Sequence, residues 1–201
     1  MFVTFEGIDG CGKSTQARLT YQHLLSHKRK VKLLREPGST VVAEKIRDIL
    51  LNRKLRMTPQ AELLLYEAAR AELMAKEITP ALAGGSIVLC DRFYDSTTAY
   101  QGFGRRLDVR MVKGLHKVAV GRVVPDLTFV FDVDLKTAFA RRGRSRDRLE
   151  SESTAFHNRV RLGFLEIARK ERRRVKLIDA TAPVDEVFRS VKKYLLKKLD
   201  R

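Results

Sequence analysis

A glycine-rich turn near the start of the chain has the residue types and spacing that bind phosphate groups. A β-branched and aromatic run at residues 3–5 leads into Gly7-x-x-x-x-Gly12-Lys13-Ser14, and an amphipathic pattern follows. Glycines let backbone N–H groups face an anion without Cβ clashes, and the next helix adds positive charge from its N-terminus. We expect Lys13 to reach the β- and γ-phosphates of a nucleoside triphosphate and the Ser14 hydroxyl to bind Mg²⁺. A plain strand-to-helix turn is the alternative, but position, spacing and flanking pattern favour a P-loop over residues 7–14.

Asp91 and Arg92 form a second candidate group, directly after a continuous apolar run at 87–90. Such a run is typical of a strand buried on both faces of a parallel sheet, and its carboxyl end would deliver both residues beside the P-loop. There a carboxylate can act on Mg²⁺ or its waters, and a planar guanidinium can stabilise charge that develops on a transferring phosphoryl group. A structural salt bridge between the two side chains is the alternative.

Asp9, Tyr66 and Arg70 each allow two interpretations. Asp9 stands at a variable P-loop position. Either it has a role near the phosphates, where its negative charge needs a compensating group, or it merely caps the turn. Tyr66 and Arg70 are four residues apart and share a helix face. Together they can stack on a base and donate to its carbonyl, but an aromatic residue at this spacing is more often part of a core. Spacing alone favours the core.

The elements that must position these residues alternate between strands and helices along the chain. We predict strands near 3–5, 31–34, 87–90, 127–131 and 175–178, and helices near 13–27, 41–51, 58–83, 95–103, 108–121 and 135–142, with two more beginning at Ser151 and Pro183. This order predicts one α/β domain over 1–201, with a P-loop NTPase-type, doubly wound, five-stranded parallel sheet flanked by helices. Ligands of such sheets bind beyond the carboxyl ends of the strands, where Arg35 and Asp179 also fall.

Composition limits the classes of function. The chain carries 41 basic and 24 acidic residues, which gives a net charge of +17. This charge fits three interpretations: an electrostatic field that attracts polyanionic nucleotides, a nucleic-acid-binding surface, or simply a solvated basic surface. Without an apolar run of about 18 residues we expect no membrane span. A strand at the very N-terminus leaves no room for a signal peptide, and only Cys11 and Cys90 are available for a disulfide, so we expect a cytoplasmic protein.

Three motifs together closely resemble the thymidylate (dTMP) kinase family. They are the P-loop, the segment Arg35-Glu36-Pro37-Gly38 and the stretch Asp91-Arg92-Phe93-Tyr94-Asp95-Ser96-Thr97-Thr98-Ala99-Tyr100-Gln101-Gly102-Phe103-Gly104-Arg105. The resemblance extends through the whole chain, to Ile178-Asp179-Ala180. It implies Mg²⁺-dependent phosphoryl transfer from ATP to dTMP for dTTP synthesis, a homodimer and a cis Glu36–Pro37 bond. We expect no nucleic-acid partner, because no binding module is recognisable.

For the donor, the resemblance implies that Lys13, Asp91 and Arg92 are catalytic and that Ser14 and Asp91 bind Mg²⁺. The residues expected to contact ATP belong to the P-loop with Thr15 directly after it, to the arginine-dense segment that begins at 141 and to the loop after the last strand: Gly7, Asp9, Gly10, Cys11, Gly12, Lys13, Ser14, Thr15, Arg141 and Asp179. Arg141 is expected to pack on the adenine.

For the acceptor site, the resemblance favours a base-binding role for Tyr66 and Arg70 over the core role that spacing alone favours. It implies that Tyr66 stacks on the thymine, Arg70 donates to its O4 atom and Thr97 faces the base edge, while Asp9 binds the 3′-hydroxyl. Tyr100 is expected beneath the deoxyribose, where it would exclude a 2′-hydroxyl. The full set expected to contact dTMP is Asp9, Arg35, Pro37, Tyr66, Arg70, Arg92, Thr97, Tyr100 and Gln101.

An arginine-dense segment at about 141–150 resembles the mobile lid of the family, although a charge run by default is a solvated loop. The variable P-loop positions at 8–11 supply no basic side chain. In family members of this kind the lid usually provides the catalytic arginine, so the resemblance implies that role for Arg144, Arg146 or Arg148.

The chain departs from the family pattern at a few positions near these motifs. Ala69 stands where an acid usually precedes the arginine, Glu72-Leu73 replaces Gln-His, and Ser39 replaces a glycine. These departures concern the orientation of Arg70 and the contacts to the base, not the reaction.

Overall fold

The strands form one parallel sheet in the order β2-β3-β1-β4-β5. We describe it from a computed structural model, which covers residues 1–143 and 147–199. The strand bounds are β1 Phe2–Glu6, β2 Val31–Arg35, β3 Ile87–Asp91, β4 Leu127–Asp132 and β5 Val175–Asp179. The predicted five-stranded, doubly wound α/β sheet is confirmed.

Nine α-helices accompany the sheet within the described residues. They are α1 Lys13–Ser26, α2 Val41–Leu51, α3 Pro59–Leu73, α4 Thr79–Ala83, α5 Tyr94–Thr97, α6 Val109–Val120, α7 Leu135–Arg141, α8 Thr154–Lys170 and α9 Val184–Leu199. Among these described helices, none combines the length and the apolar character needed to cross a membrane.

The core lies on both faces of the sheet because successive strand side chains point to opposite sides. In β1, Phe2 packs into one apolar cluster while Val3 and Phe5 pack into the other. In β3, Leu89 and Cys90 divide between the clusters in the same way. Strands that are covered on both faces read as continuous apolar runs, which is why β1 and β3 could be found in the sequence.

Helix α8 starts three residues later than the pattern predicted. The expected start was Ser151, but the helix begins at Thr154 because the Ser153 hydroxyl accepts the N–H of Phe156 at 3.2 Å. An N-cap side chain satisfies a backbone donor that has no partner inside the helix. Thr58 caps α3 in the same way, as the sequence predicted.

Two helical segments widen into π-helical turns that the sequence analysis did not predict. The predicted helix over 58–83 is interrupted by a π turn at Met74–Ile78. Pro80 lies just beyond it, and a proline removes one N–H and crowds the carbonyl four residues before it, which here is that of Lys76. The second π segment, Thr98–Gly104, follows α5 directly and replaces the regular helix predicted at 95–103.

A matched pair of glycine substitutions tests the packing of α8. A Cβ atom added to Gly163 would lie 2.9 Å from Cγ and Cδ2 of Phe103. We therefore expect Gly163→Ala to lower the free energy of unfolding by about 1–3 kcal/mol. A Cβ atom added to Gly114, in the interior of α6, meets no described heavy atom within 4 Å. Gly114→Ala should therefore raise the free energy of unfolding by about 0.5–1 kcal/mol. Urea unfolding measures both, and equal effects would contradict this packing.

Candidate active site

The P-loop adopts a backbone conformation that requires its glycines. Gly7, Gly10 and Gly12 have φ values of 140°, 85° and 89°, which residues with a Cβ rarely adopt. A Cβ at Gly10 would also lie 2.1 Å from the carbonyl oxygen of Ala138. Helix α1 starts at Lys13, directly after the loop. The arrangement is a backbone cradle at a helix N-terminus, which suits an anion.

One cavity beside the P-loop has the features expected of a donor-nucleotide site. It brings together Arg141, the loop at 180–184 and the P-loop residues Gly10, Cys11, Gly12, Lys13, Ser14 and Thr15. The Arg141 guanidinium donates to the carbonyl of Ala180 at 2.8 Å. Asp179 does not line this cavity: its carboxylate accepts from the N–H and hydroxyl of Thr181 and so shapes the loop.

A second cavity gathers most of the residues expected to contact the acceptor. Arg35 lies outside it and pairs with Glu44 at 2.9 Å, lining instead a neighbouring cavity that includes Lys13 and Ser14. The predicted cis peptide at Glu36–Pro37 is confirmed. The predicted residues that line the acceptor cavity are Asp9, Pro37, Tyr66, Arg70, Arg92, Thr97, Tyr100 and Gln101, and those that sequence reasoning missed are Glu36, Arg47, Leu51, Phe93, Ser96, Asp147 and Leu149.

Asp9 and Arg92 lie where the acceptor cavity and the neighbouring cavity meet. Arg92 donates to one Asp9 oxygen at 2.5 Å, and the Tyr100 hydroxyl donates to the other at 2.9 Å. Burial by itself would raise the pKa of Asp9, but the charges of Arg92 and Lys13 hold that pKa well below its ordinary value. The carboxylate is therefore ionised, and these cations supply the compensation that an acid in a P-loop needs.

The main chain of Arg92 is strained, and hydrogen bonds hold its side chain in place. Its φ of 73° lies in the left-handed region, which a residue with a long side chain seldom occupies. The guanidinium donates to the Gly7 carbonyl at 2.9 Å and to the Ser96 hydroxyl at 3.0 Å. Its ion pair is with Asp9, so the alternative of a simple Asp91–Arg92 salt bridge does not describe the arrangement.

Glu6 anchors this strained turn, and sequence reasoning missed it. The fully buried carboxylate accepts the N–H of Phe93 at 2.7 Å and the hydroxyl of Ser96 at 2.6 Å. Burial, assisted by the nearby charge of Asp95, raises the pKa of Glu6 to about 8. An acidic residue at the end of an otherwise apolar strand was the available signal, because a charge in such a place must have partners.

Asp91 has an oxygen atom that can accept a ligand. Its Oδ1 atom is buried and has no hydrogen-bond partner among the described residues. The same cavity is lined by Ser14 and Lys13. A carboxylate and a hydroxyl are oxygen donors of the kind that Mg²⁺ prefers, and this ion commonly completes its shell with phosphate and water oxygens. The residues present therefore fit a Mg²⁺ ion.

Arg70 is both buried and part of the acceptor cavity, so the two interpretations of this residue are compatible. It is 1% exposed and donates to Glu36, Glu67 and the hydroxyl of Thr97. Burial raises the pKa of Glu36 to about 7 even though the charge of Arg70 opposes the rise. The neighbouring carboxylates more than offset the effect of burial on Arg70, and its pKa is raised.

The candidate lid arginines fall into different surroundings. Arg148 donates to Glu62 at 2.6 Å and to the Leu50 carbonyl at 2.8 Å, so its guanidinium is engaged away from the phosphate cavities. Arg144 and Arg146 lie outside the described residues. Arg142, which sequence reasoning did not select, donates to the main-chain carbonyl of Asp9 at 3.1 Å.

Comparison with known proteins gives one consistent family. Residues 5–191 match the family model described as thymidylate kinase. The chain is 46% identical to the thymidylate kinase of Geotalea daltonii, with 99% of this chain and 98% of the relative covered. It is 43% identical to the thymidylate kinase of Gloeobacter violaceus, covering 96% and 92%. The crystal structure of thymidylate kinase from Ehrlichia chaffeensis superposes with a TM-score of 0.80 at 38% identity over 98% of each chain.

The environment of Glu6 predicts a pH-dependent difference between the wild type and Glu6→Gln. With a pKa of about 8 in the fold against 4.5 for the free side chain, the folded state keeps a proton that the unfolded state loses. Wild-type stability contributed by this group is therefore present below pH 4.5 and is lost as the pH rises towards 8. When Glu6 is protonated, its O–H donates to the Ser96 oxygen, which accepts in place of donating. Glutamine places an amide N–H there in the same way, keeps an oxygen that accepts the N–H of Phe93, and cannot ionise.

We therefore expect Glu6→Gln to match the wild type near pH 5 and to exceed its free energy of unfolding increasingly towards about pH 8. Urea unfolding at a series of pH values measures the difference. A difference that is independent of pH would show that Glu6 is not held protonated by the fold.

Proposed function

The chain belongs to the thymidylate kinase family, and we propose that it transfers the terminal phosphoryl group of ATP to dTMP, giving ADP and dTDP. The observation that carries this proposal is the position of Arg92 and Asp9. They line the acceptor cavity and also the cavity that includes Lys13 and Ser14. A donor phosphate on the P-loop and an acceptor phosphate would therefore meet beside Arg92.

The transfer requires charge neutralisation and alignment more than proton removal. A nucleoside monophosphate has a second pKa of about 6, so the attacking phosphate oxygen is already ionised at neutral pH. Lys13 would neutralise the β- and γ-phosphates, and Arg92 would stabilise charge on the transferring group. Because Arg92 is held by the Gly7 carbonyl and Ser96, little reorganisation accompanies this stabilisation.

We propose that Ser14 and Asp91 hold a Mg²⁺ ion with the phosphates of ATP. The Oδ1 atom of Asp91, which has no partner among the residues that the structure describes, supports this assignment, since a buried carboxylate oxygen needs a partner. When bound, Mg²⁺ supplies positive charge against the phosphate oxygens. Arg141 and the loop shaped by Asp179 would contact the adenine side of the nucleotide.

The acceptor contacts follow from the chemistry of each group. The ionised carboxylate of Asp9 can only accept hydrogen bonds, which suits the 3′-hydroxyl of the sugar. Arg70 uses four of its five N–H groups on Glu36, Glu67 and Thr97, and the remaining one, on NH1, would donate to the base carbonyl. Tyr66 would stack on the base, with Tyr100 beneath the deoxyribose. Pro37 and Gln101 would complete the contacts to dTMP inside the cavity, and Arg35 would reach dTMP from the neighbouring cavity only after leaving Glu44.

The segment at about 141–150 would act as the lid. We propose Arg144, Arg146 or Arg148 as the donor to the transferring phosphoryl group. Arg148 would first have to leave Glu62 and the Leu50 carbonyl, so its use requires a movement of the lid. Closure would also exclude water and limit wasteful hydrolysis of ATP.

We propose a single domain over residues 1–201 that works as a cytoplasmic homodimer. Cys11 and Cys90 are free and buried, which suits a reducing compartment. Exposed Val42 and Ile49 on α2 offer apolar surface to a second copy. Light scattering after gel filtration measures the mass, and a monomer at micromolar concentration would contradict the dimer.

The substrate assignment predicts the outcome of an ADP-release assay. With Mg²⁺-ATP and one acceptor at a time from dTMP, dUMP, dCMP, dGMP, dAMP and UMP, we expect the highest kcat/KM for dTMP. A higher value for another monophosphate would keep the kinase but refute the base contacts. ADP release that needs no acceptor but rises with DNA would favour a nucleic-acid-dependent ATPase, which the basic charge also allows.

The role of Arg92 predicts a large loss of turnover without loss of the fold. Arg92→Met should lower kcat by about 10²–10³ or more, because it removes a fixed donor to the developing charge. Arg169→Met is the matched control, since the Arg169 side chain is exposed and its only hydrogen-bond partner in the described structure is Glu166. Circular dichroism reports the fold of both variants. An unchanged kcat in Arg92→Met would exclude the proposed role.

A further inference from the structure

A line of buried polar groups runs from Arg70 away from the acceptor cavity to helix α6. Arg70 donates from NH1 to Oε1 of Glu67 at 2.6 Å. His116 Nδ1 lies 2.8 Å from the same oxygen, and its Nε2 lies 2.9 Å from the hydroxyl of Thr98. Arg70 is 1% exposed, Thr98 2%, and Glu67 and His116 6% each. None of Glu67, His116 and Thr98 lines the acceptor cavity.

We propose that Glu67 and His116 are positioning residues, which aim the guanidinium of Arg70 at the base of the acceptor nucleotide. This proposal rests on the function proposed above and adds the residues that set the orientation of its base contact. Glu67 acts on Arg70 directly, and His116 acts on Arg70 through Glu67.

The hydrogen-bond count on Arg70 shows why Glu67 matters. Glu36 accepts from Nε and NH2, and Thr97 accepts from NH2. Glu67 alone among the described residues accepts from NH1, the nitrogen that also carries the remaining free N–H. A guanidinium is planar and rigid, so the bond to Glu67 on NH1, together with the bonds from Nε and NH2, fixes the direction in which that last N–H points.

The opposite partner of Arg70, Glu36, anchors a different edge of the guanidinium. It accepts from Nε and NH2 and leaves NH1 to Glu67. Burial would raise the pKa of Glu67, but Arg70 and His116 outweigh burial and lower that pKa. Glu67 therefore keeps its negative charge and a charge-assisted hydrogen bond to Arg70.

His116 completes the arrangement with one consistent tautomer. The ring donates from Nδ1 to Glu67 and accepts at Nε2 from the hydroxyl of Thr98, which a neutral imidazole does with one proton. Burial lowers the pKa of His116, in keeping with that neutral form. The ring also stacks on Tyr94, with centroids 5.3 Å apart. Glu67 Oε2 has no described partner, so Oε1 and its two donors hold the carboxylate.

The spacing of Glu67 and Arg70 along α3 explains how the two side chains meet. Glu67 lies three residues before Arg70 in α3, and side chains at that spacing meet on one face of a helix. The acidic partner of the arginine is thus supplied from one turn earlier, and a histidine from α6 supports it.

The rival explanation is that the cluster only joins α3 to α6. Removing a buried polar partner lowers stability under either explanation, so a melting temperature does not distinguish them. A positioning role predicts a split between kinetic constants. The KM for dTMP should rise because the base contact is misaimed, while kcat at saturating dTMP and the KM for ATP should change little.

The test uses full-length variants in the ADP-release assay with dTMP. Glu67→Gln should raise the KM for dTMP about tenfold, since it removes the charge from one hydrogen bond to Arg70. His116→Gln should raise it about fivefold, because its amide reaches Thr98 but not Glu67. His116→Asn is the matched comparison: its amide nitrogen takes the place of Nδ1 and keeps the bond to Glu67 but loses Thr98, so the KM should rise by no more than about two- to threefold, as in Thr98→Val.

Thr98→Val provides a milder variant if Glu67→Gln fails to fold, with an expected rise in KM of about two- to threefold. Equal KM values for dTMP in the wild type and all folded variants would overturn the proposal, as would a fall in kcat with KM unchanged. Wild-type protein that releases no ADP with dTMP would overturn the proposed function itself, and the positioning role with it.

Discussion

The ion pair between Asp9 and Arg92 is the constraint on which the site depends. It joins the P-loop after β1 to the turn after β3, two segments far apart in the sequence. The strands β1 and β3 are parallel neighbours with Phe5 opposite Asp91, so their carboxyl ends lie at the same level. Buried charges need partners nearby. The pair therefore couples the donor side of the site to the acceptor side and leaves Arg92 oriented before any ligand arrives.

Other buried acidic side chains extend this principle around the acceptor cavity. Glu6 holds the turn that carries Arg92, and Glu62 accepts from Gln101, Arg105 and Arg148. Replacing a buried ion pair by apolar residues often leaves stability unchanged or improved, so such pairs are weak evidence for stability. Their common property here is geometric: each fixes a side chain or a turn that lines the cavity. Burying an ionisable group costs free energy, and in this protein it occurs where it fixes the orientation of a side chain or turn at the acceptor cavity.

Much of the fold could be predicted because its signals are local. The apolar runs of β1 and β3, the capping threonine at Thr58 and the glycines of the P-loop each act over a few residues. The predicted helix bounds were wrong where another group changed the helical preference of the local segment. Ser153 moved the start of α8, and π turns at Met74–Ile78 and Thr98–Gly104 interrupted helices that periodicity alone would continue.

The sequence by itself determined the family, the sheet and the motif positions, because residue type and spacing decide backbone conformation and phosphate-binding chemistry. Only the tertiary structure decided which charges meet. It directed Arg35 to Glu44 and Arg148 to Glu62, and it joined Arg70 to Glu36, Glu67 and, through Glu67, to His116. These partners come from different elements, and the strength of an ion pair depends on distance and burial, which spacing along one chain does not contain.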